Sequence, residues 1–239
     1  MFFGKLSRHL AKYQPFYVFQ GKNLDKENAE LLFDSVFDLA DEYCEAIIYK
    51  NLAQPLVICG RWGPVVLETG RALRARGIDV AALIVFDNGT GGAYLLRKSV
   101  KRGRAGGPSS RLLRRLLKKI PGFKNAASML LRKKPSPAVS HQPQSLFHAI
   151  DGTILGKRYR PVKYDGAIYL FRSEEFAAIA EKEMHCVSWL AINEKTQIDI
   201  FPGTHRSMWD PPHVSTLGQK VQAILDQIMK NPDALKPPQ

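Results

Sequence analysis

The stretch Pro55-Leu-Val-Ile-Cys-Gly60-Arg-Trp-Gly63 decides the fold, together with the amphipathic segment that follows it and ends at Gly77. The apolar run before Gly60 predicts a buried strand, and the segment after Gly63 predicts a helix at 64–76. A strand, a sharp turn and a helix in this order form a nucleophile elbow, which projects a reactive side chain from the end of a sheet. The pattern calls for serine at residue 60, where this chain has glycine.

Two further polar residues follow strands of the same predicted sheet. Asp87 closes the apolar strand 80–86, and His205 lies in the loop Gly203-Thr-His205 before the last helix. In a nucleophile, acid and histidine set, the histidine takes a proton from the nucleophile while the carboxylate orients the imidazole. The sequence therefore predicts Asp87 and His205 as the remains of a triad whose first member is missing.

Helical and strand patterns alternate along most of the chain. Further strands are predicted at 16–20, 166–171 and 196–201, and further helices at 4–13, 30–49, 174–183 and 214–229. This alternation predicts an α/β fold with a mostly parallel sheet and helices on both faces. A chain of 239 residues suits one buried core. We assign that core to 1–87 and 151–233, an insertion to 88–150 and a tail to 234–239.

The net charge of +13 comes from the insertion 88–150, which has fourteen Lys or Arg residues and no Asp or Glu. Its Gly, Pro and Ser content predicts a partly flexible lid. Three interpretations stay open: a solvated lid, a surface that faces an acidic protein, or contact of 97–134 with an anionic membrane. Few aromatic residues interleave the charges, which argues against binding of nucleic acid.

Other features limit the class of protein. The sequence has no run of eighteen apolar residues and no cleavable leader, so we expect a cytoplasmic protein. Cys44, Cys59 and Cys186 are odd in number and lack the spacing of metal ligands. They predict reduced thiols, with no disulfide framework and no metal site.

Several spaced blocks resemble the thioesterase domains that close nonribosomal peptide and polyketide assembly lines, a branch of the α/β-hydrolase superfamily. The blocks are Pro15–Asp25, Tyr43–Ile47, Val65–Gly77, Ala82–Asp87, Tyr159–Arg172, Trp189 and Phe201–Val214. They cover nearly the whole chain except 88–150, where the lids of this family vary most. The resemblance implies an α/β-hydrolase-like fold and hydrolysis or cyclising release of an acyl or peptidyl chain from a carrier-protein thioester. It also implies an acidic carrier protein with a phosphopantetheine arm as partner, and no cofactor of the chain's own.

Carried over from the family, His205 matches the catalytic histidine, Asp87 the aspartate and Gly60 the position of the serine. The backbone N–H of Arg61 matches an oxyanion donor. Cys59 is the one substitute nucleophile nearby, but neighbouring strand residues point to opposite faces. The resemblance therefore implies a thioesterase-family protein with impaired catalysis. The alternative is a non-catalytic module that binds a carrier protein or an acyl chain.

The start of the chain departs from the family as well. Family members begin with a further strand and a Gly-rich turn, which supplies an oxyanion donor, before the helix that 4–13 matches. We therefore expect a chain that is truncated relative to its family or belongs to a longer product, and a non-functional remnant is a third alternative. Loss of one oxyanion donor typically costs about 10² to 10³ in rate.

Overall fold

The computed structural model of the protein describes residues 2–19, 35–90, 159–175 and 183–230. Most of the predicted insertion 88–150 lies outside these residues, including the stretch 97–134 for which membrane contact was considered. The predicted tail 234–239 lies outside them too. The described residues contain every residue that the sequence predicts for the catalytic site.

The described strands form one parallel sheet. They are β1 Leu56–Gly60, β2 Val80–Phe86, β3 Ala167–Ser173 and β4 Gln197–Phe201. They lie side by side in chain order, and all three pairings are parallel. Every residue of β2 is buried, as expected of a strand that helices cover on both faces. The parallel sheet predicted from the sequence is confirmed.

Helices pack on both faces of this sheet. Within the described residues they are α1 Phe2–Ser7, α2 Val36–Lys50, α3 Gly63–Ala75, α4 Glu183–Ile192 and α5 His213–Lys230. Helices α2, α3 and α4 share one apolar cluster with Leu83 and Val85 of β2. Helices α1 and α5 share another with Ile84 and Phe86. Since successive strand residues face opposite sides, the two clusters are the two layers that the sequence predicts.

Two predictions near the N-terminus are wrong. The helix predicted at 4–13 is the shorter α1, although Leu6 and Leu10 are both buried, as their helical spacing indicates. The strand predicted at 16–20 is not formed over its described residues 16–19. Tyr17 is largely exposed there, so less than half of its side chain packs against the described residues. Aromatic residues favour a strand only where neighbouring residues pack against them.

The helices at the ends of two predicted segments also differ. Helix α2 begins at Val36 rather than near residue 30, because Ser35 is extended and its Oγ accepts the N–H of Asp38 at 3.1 Å. This is a standard N-cap. Helix α4 is missing from the sequence prediction, which placed a helix at 174–183. Residues 176–182 lie outside the description, while 174–175 are helical.

Candidate active site

The predicted site residues meet at one edge of the sheet, where loops leave the carboxyl ends of the strands. Arg61 follows β1, Asp87 follows β2, and His205 lies in the loop after β4. In open α/β sheets this edge is where ligands bind. Parallel pairing places these strand ends side by side, so residues that are distant in sequence become neighbours.

Asp87 is a buried carboxylate in a fixed orientation. Its side chain has no exposed surface, and its Oδ1 accepts the N–H of Ser173 at 2.6 Å. Its φ of 52° is in the left-handed region, which aspartate tolerates better than most residues. Its Oδ2 lies 3.2 Å from Nδ1 of His205. The structure therefore brings together the acid and the histidine that the sequence predicts.

The loop that carries His205 is held by the residues after β3. The backbone N–H of His205 donates to Oε2 of Glu175 at 3.1 Å, and the N–H of Glu175 donates to the carbonyl of Gly203 at 3.1 Å. The N–H of Gly203, whose φ is 96°, donates to Oε2 of Glu174 at 3.4 Å. These bonds fix the imidazole, of which 30% is exposed, above the sheet edge.

Arg61 contacts the other nitrogen of the histidine. Its Nη2 group donates a hydrogen bond to Nε2 of His205. Because a guanidinium group has only donors, Nε2 must be the acceptor. The proton of the neutral ring then lies on Nδ1, where it faces Asp87. Arg61, His205 and Asp87 thus form a continuous chain of hydrogen bonds.

The guanidinium of Arg61 is half-buried among aromatic rings. It lies 4.4 Å from the ring centroid of Phe2 and 5.9 Å from that of Trp209, within the range of cation–π attraction. Burial lowers the pKa of Arg61. The negative charge of Asp87 raises this pKa, and the positive charge of Arg206 lowers it further. Its Nε–H is buried and has no hydrogen-bond partner within the part of the chain that the structure describes.

Gly60, the predicted serine position, does not face the histidine. It is the last residue of β1, and a Cβ built on it would lie 2.6 Å from Cγ2 of Val66 in α3. A side chain at 60 would therefore point toward the helix. The side chain that meets Nε2 of His205 belongs to Arg61, one residue later. Sequence reasoning considered only the backbone of Arg61 and missed the role of its side chain.

Cys59 faces the layer of α1 and α5, opposite to the side toward which Gly60 points. It packs against the apolar cluster of these helices, as Phe3 and Phe16 also do. Burial raises the pKa of its thiol to about 12, so the reactive thiolate is scarce at neutral pH. Both observations argue against Cys59 as a substitute nucleophile.

The turn between β1 and α3 is not strained. Among the described residues, none from Cys59 to Gly63 has a positive φ, whereas a nucleophile elbow is a strained turn. A Cβ at Gly63 would lie 2.2 Å from the carbonyl oxygen of Gly89, so only glycine allows this close approach. The backbone N–H of Arg61 belongs to this turn, and its role as an oxyanion donor stays a prediction.

Two cavities lined by described residues lie away from this edge. One is an open groove of about 660 Å³ beside Lys163 and Lys195, and the other, of about 240 Å³, lies between α2 and α3. In the described part of the chain, no group of three or more His, Cys, Asp or Glu residues could hold a metal ion. No helix of that part is long and apolar enough to cross a membrane.

Solved structures share this fold at low sequence identity. The NocB thioesterase domain from the nocardicin cluster, in complex with a fluorophosphonate analogue, is 19% identical, with a TM-score of 0.52 over 83% of this chain and 78% of that one. The wild-type Vlm2 thioesterase domain is 18% identical, with a TM-score of 0.58 over 93% and 86%.

A much longer protein contains the same fold. AB3403, a four-domain nonribosomal peptide synthetase, is 16% identical, with a TM-score of 0.60 over 93% of this chain and 18% of that one. No family model matches the sequence, and no curated protein matches it. At these identities the likeness concerns the fold. The chain therefore has the α/β-hydrolase-like fold of the thioesterase domains of nonribosomal peptide synthetases.

Proposed function

We propose that this chain is a thioesterase-type protein in which Arg61 takes the nucleophile's place, so that it binds acyl or peptidyl ligands without hydrolysing them. The observation that carries the proposal is the hydrogen bond from Nη2 of Arg61 to Nε2 of His205. Asp87 and His205 are the residual acid and histidine. In this proposal the serine position is residue 61 rather than Gly60.

The arginine removes both requirements of acyl transfer. A general base needs a free lone pair on Nε2 and a hydroxyl or thiol beside it. Here the lone pair accepts a bond from a guanidinium, which stays protonated in proteins and has no acceptor of its own. In a protease, loss of the nucleophile costs roughly 10⁶ in kcat. We therefore expect no acyl-enzyme.

Binding is the role that this arrangement still allows. One protein that contains the same fold is a nonribosomal peptide synthetase. The resemblance in sequence implies a ligand that is held as a carrier-protein thioester. We propose as ligand an acyl or peptidyl group on the phosphopantetheine arm of a carrier protein. The fourteen basic residues of 88–150 would speed the encounter with an acidic carrier.

The sharpest test compares serine at residues 60 and 61 with a fluorophosphonate probe, which reacts with a serine hydroxyl activated by histidine. The wild-type protein is expected to stay unlabelled. Arg61→Ser places a hydroxyl next to His205 and is expected to be labelled. The rate of labelling should fall at least about tenfold when His205→Ala is added to that variant. Gly60→Ser is the matched control and should stay unlabelled, since its side chain points toward Val66.

The opposite results are equally clear. Wild-type labelling that His205→Ala abolishes would contradict the loss of chemistry, and Cys59→Ala would then show whether the thiol reacts. Labelling of Gly60→Ser but not of Arg61→Ser would return the serine position to residue 60. Saturable binding of a carrier protein loaded with a non-hydrolysable acyl group is expected, and its absence would reject the binding role.

A further inference from the structure

We infer that Arg61 and Arg206 bind the carboxylate of a monoanionic acyl acid at the edge of the sheet, with the apolar chain of the ligand against Phe2. This inference rests on the proposed function, since it requires Arg61 to stand in place of a nucleophile. It goes beyond that function because it concerns a free acid, which presents a charged carboxylate, rather than an acyl group held as a thioester on a carrier arm.

The first support is the unused donor capacity of Arg61. A guanidinium presents five N–H donors in a planar fork that matches a carboxylate. In this structure Nη2 donates to His205, while the buried Nε–H has no acceptor among the described residues. A buried donor without a partner is unfavourable, so a ligand that reorients the fork onto two oxygen atoms would relieve it.

The second support is the position of Arg206. It directly follows His205, its side chain is exposed, and it has no ion pair with any described residue. Its charge disfavours the protonated form of Arg61, which means that the two guanidinium groups repel one another. A single anion between them would convert this repulsion into two attractions.

The carboxylates around the site limit the charge of that anion. Asp87 bonds to His205 and Ser173, while Glu174 and Glu175 bond to backbone N–H groups of the histidine loop. At least one oxygen atom of each carboxylate is engaged within the protein, and their negative charges still act on an incoming ligand. A second negative charge on the ligand would be repelled, so a carboxylate fits better than a phosphate dianion.

The apolar side of the site suggests the tail. The ring of Phe2 lies under the guanidinium of Arg61, and 40% of Phe2 is exposed. Trp209 behind it is fully buried and supports the ring. A hydrocarbon chain attached to the carboxylate can cover the exposed face of Phe2, and removal of that surface from water is favourable.

The test uses calorimetric titration of the full chain at pH 8 with decanoate, decyl phosphate and decanol. Decanoate is expected to bind, and decanol at least about tenfold more weakly, because it lacks the charge-assisted hydrogen bonds. Decyl phosphate, a dianion at this pH, should also bind more weakly than decanoate. Equal binding of decanol would overturn the inference, and tighter binding of decyl phosphate would overturn the assignment of a monoanion.

Matched variants locate the site. Arg61→Gln should weaken decanoate binding by about tenfold or more, and Arg206→Gln by a smaller factor of about three. Arg76→Gln is the control, because Arg76 lies at the far end of α3, paired with Asp41 at 3.0 Å, and its loss should leave binding unchanged. Unchanged binding in Arg61→Gln would overturn the inference.

Folding of each variant is followed by circular dichroism. If Arg61→Gln does not fold, the test compares the decanoate affinities of Arg206→Gln and Arg76→Gln. Equal affinities of these two variants would reject the proposed site. The outcome is separable from that of the proposed function. A protein that resists the fluorophosphonate probe but ignores decanoate would keep the proposed function and lose this inference.

Discussion

Two buried carboxylates, Asp87 and Glu68, serve this fold in different ways. The Asp87 side chain has no exposed surface and that of Glu68 has 8%. Asp87 ends a strand and bonds to a histidine at the ligand-binding edge. Glu68 lies within α3, where its Oε1 accepts the hydroxyl of Tyr159 at 2.5 Å and its Oε2 lies 3.4 Å from Nε of Arg71.

The difference lies in what the partners can do. The partner of Asp87 is an imidazole that stands in a loop, and its second ring nitrogen bonds to Arg61. Of the two partners of Glu68, Arg71 lies in α3 itself, and Tyr159 links α3 to a distant part of the chain. Burial raises the pKa of Glu68, while the Tyr159 hydrogen bond and the Arg71 charge oppose the rise. Burial of an acid thus identifies a functional group only together with its partners.

The largest effect in this comparison is expected from Asp87→Ala. The change removes the acceptor of the Ser173 N–H, leaves the half-buried Arg61 without its carboxylate and places alanine at a positive φ. The free energy of unfolding should fall by about 3–5 kcal/mol, the combined cost of a buried N–H without an acceptor, a lost hydrogen bond to His205 and alanine at a positive φ. Urea denaturation monitored by tryptophan fluorescence measures it.

Asp87→Asn controls for size and backbone, since asparagine also tolerates the left-handed conformation. The free energy of unfolding should fall less in this variant than in Asp87→Ala. Equal losses would assign the effect to charge alone, and a loss below about 1 kcal/mol for Asp87→Ala would remove the electrostatic role that we give to this carboxylate.

An intermediate effect is expected from Tyr159→Phe. It leaves the ring in place but removes the hydroxyl that donates to the buried Glu68. Loss of one partner of a buried polar group should lower the free energy of unfolding by about 1–3 kcal/mol. Tyr13→Phe is the control, since Tyr13 is 77% exposed, and it should change stability by less than about 0.5 kcal/mol. Similar losses in both variants would show that the hydrogen bond is unimportant.

The smallest effect is a pH dependence that Glu68→Gln should remove. Because burial raises the folded-state pKa of Glu68 above its ordinary 4.5, the folded state holds this proton more tightly than the unfolded state. The contribution of protonated Glu68 to the free energy of unfolding is therefore full below pH 4.5, and it is lost as pH rises through the folded-state pKa. The difference in unfolding free energy between wild type and variant should fall over that window, by at most about 1.4 kcal/mol per pH unit. A difference that rises with pH would contradict the sign.

The sheet was predictable because its strands are continuous apolar runs. Val80–Phe86 is buried along its whole length, and both its limits were placed correctly from the sequence. Residues 16–19 are also apolar or aromatic throughout, but they form no strand. Their state depends on packing by neighbours, which a local pattern does not contain. Helix α4 was missed for a related reason, since its mostly apolar sequence lacks the polar stripe that marks an amphipathic helix.

The candidate site was half predictable. Asp87 and His205 follow separate strands, and the logic of a parallel sheet brings them within 3.2 Å. Identification of the residue that replaces the serine depended on an alignment that could shift by one residue. Counted back from Gly63, a motif that closes with two glycines, Gly-x-Ser-x-Gly-Gly, places the serine at Gly60, whereas one that closes with a single glycine places it at Arg61. Successive side chains at the strand end face opposite sides, so only one of the two residues can meet the histidine. The sequence does not tell which residue does so, and the structure does.

The way in which the chain leaves and re-enters the core has a practical consequence. On departure, Trp189 Nε1–H donates to the carbonyl of Asn88 at 2.8 Å, and the N–H of Thr90 donates to Oγ of Ser188 at 3.2 Å. On return, Tyr159 is fastened to α3. These anchors hold the described residues on either side of the intervening stretch. We expect that a shorter or neutral sequence can be grafted between Thr90 and Tyr159 while the described sheet and helices keep their cooperativity.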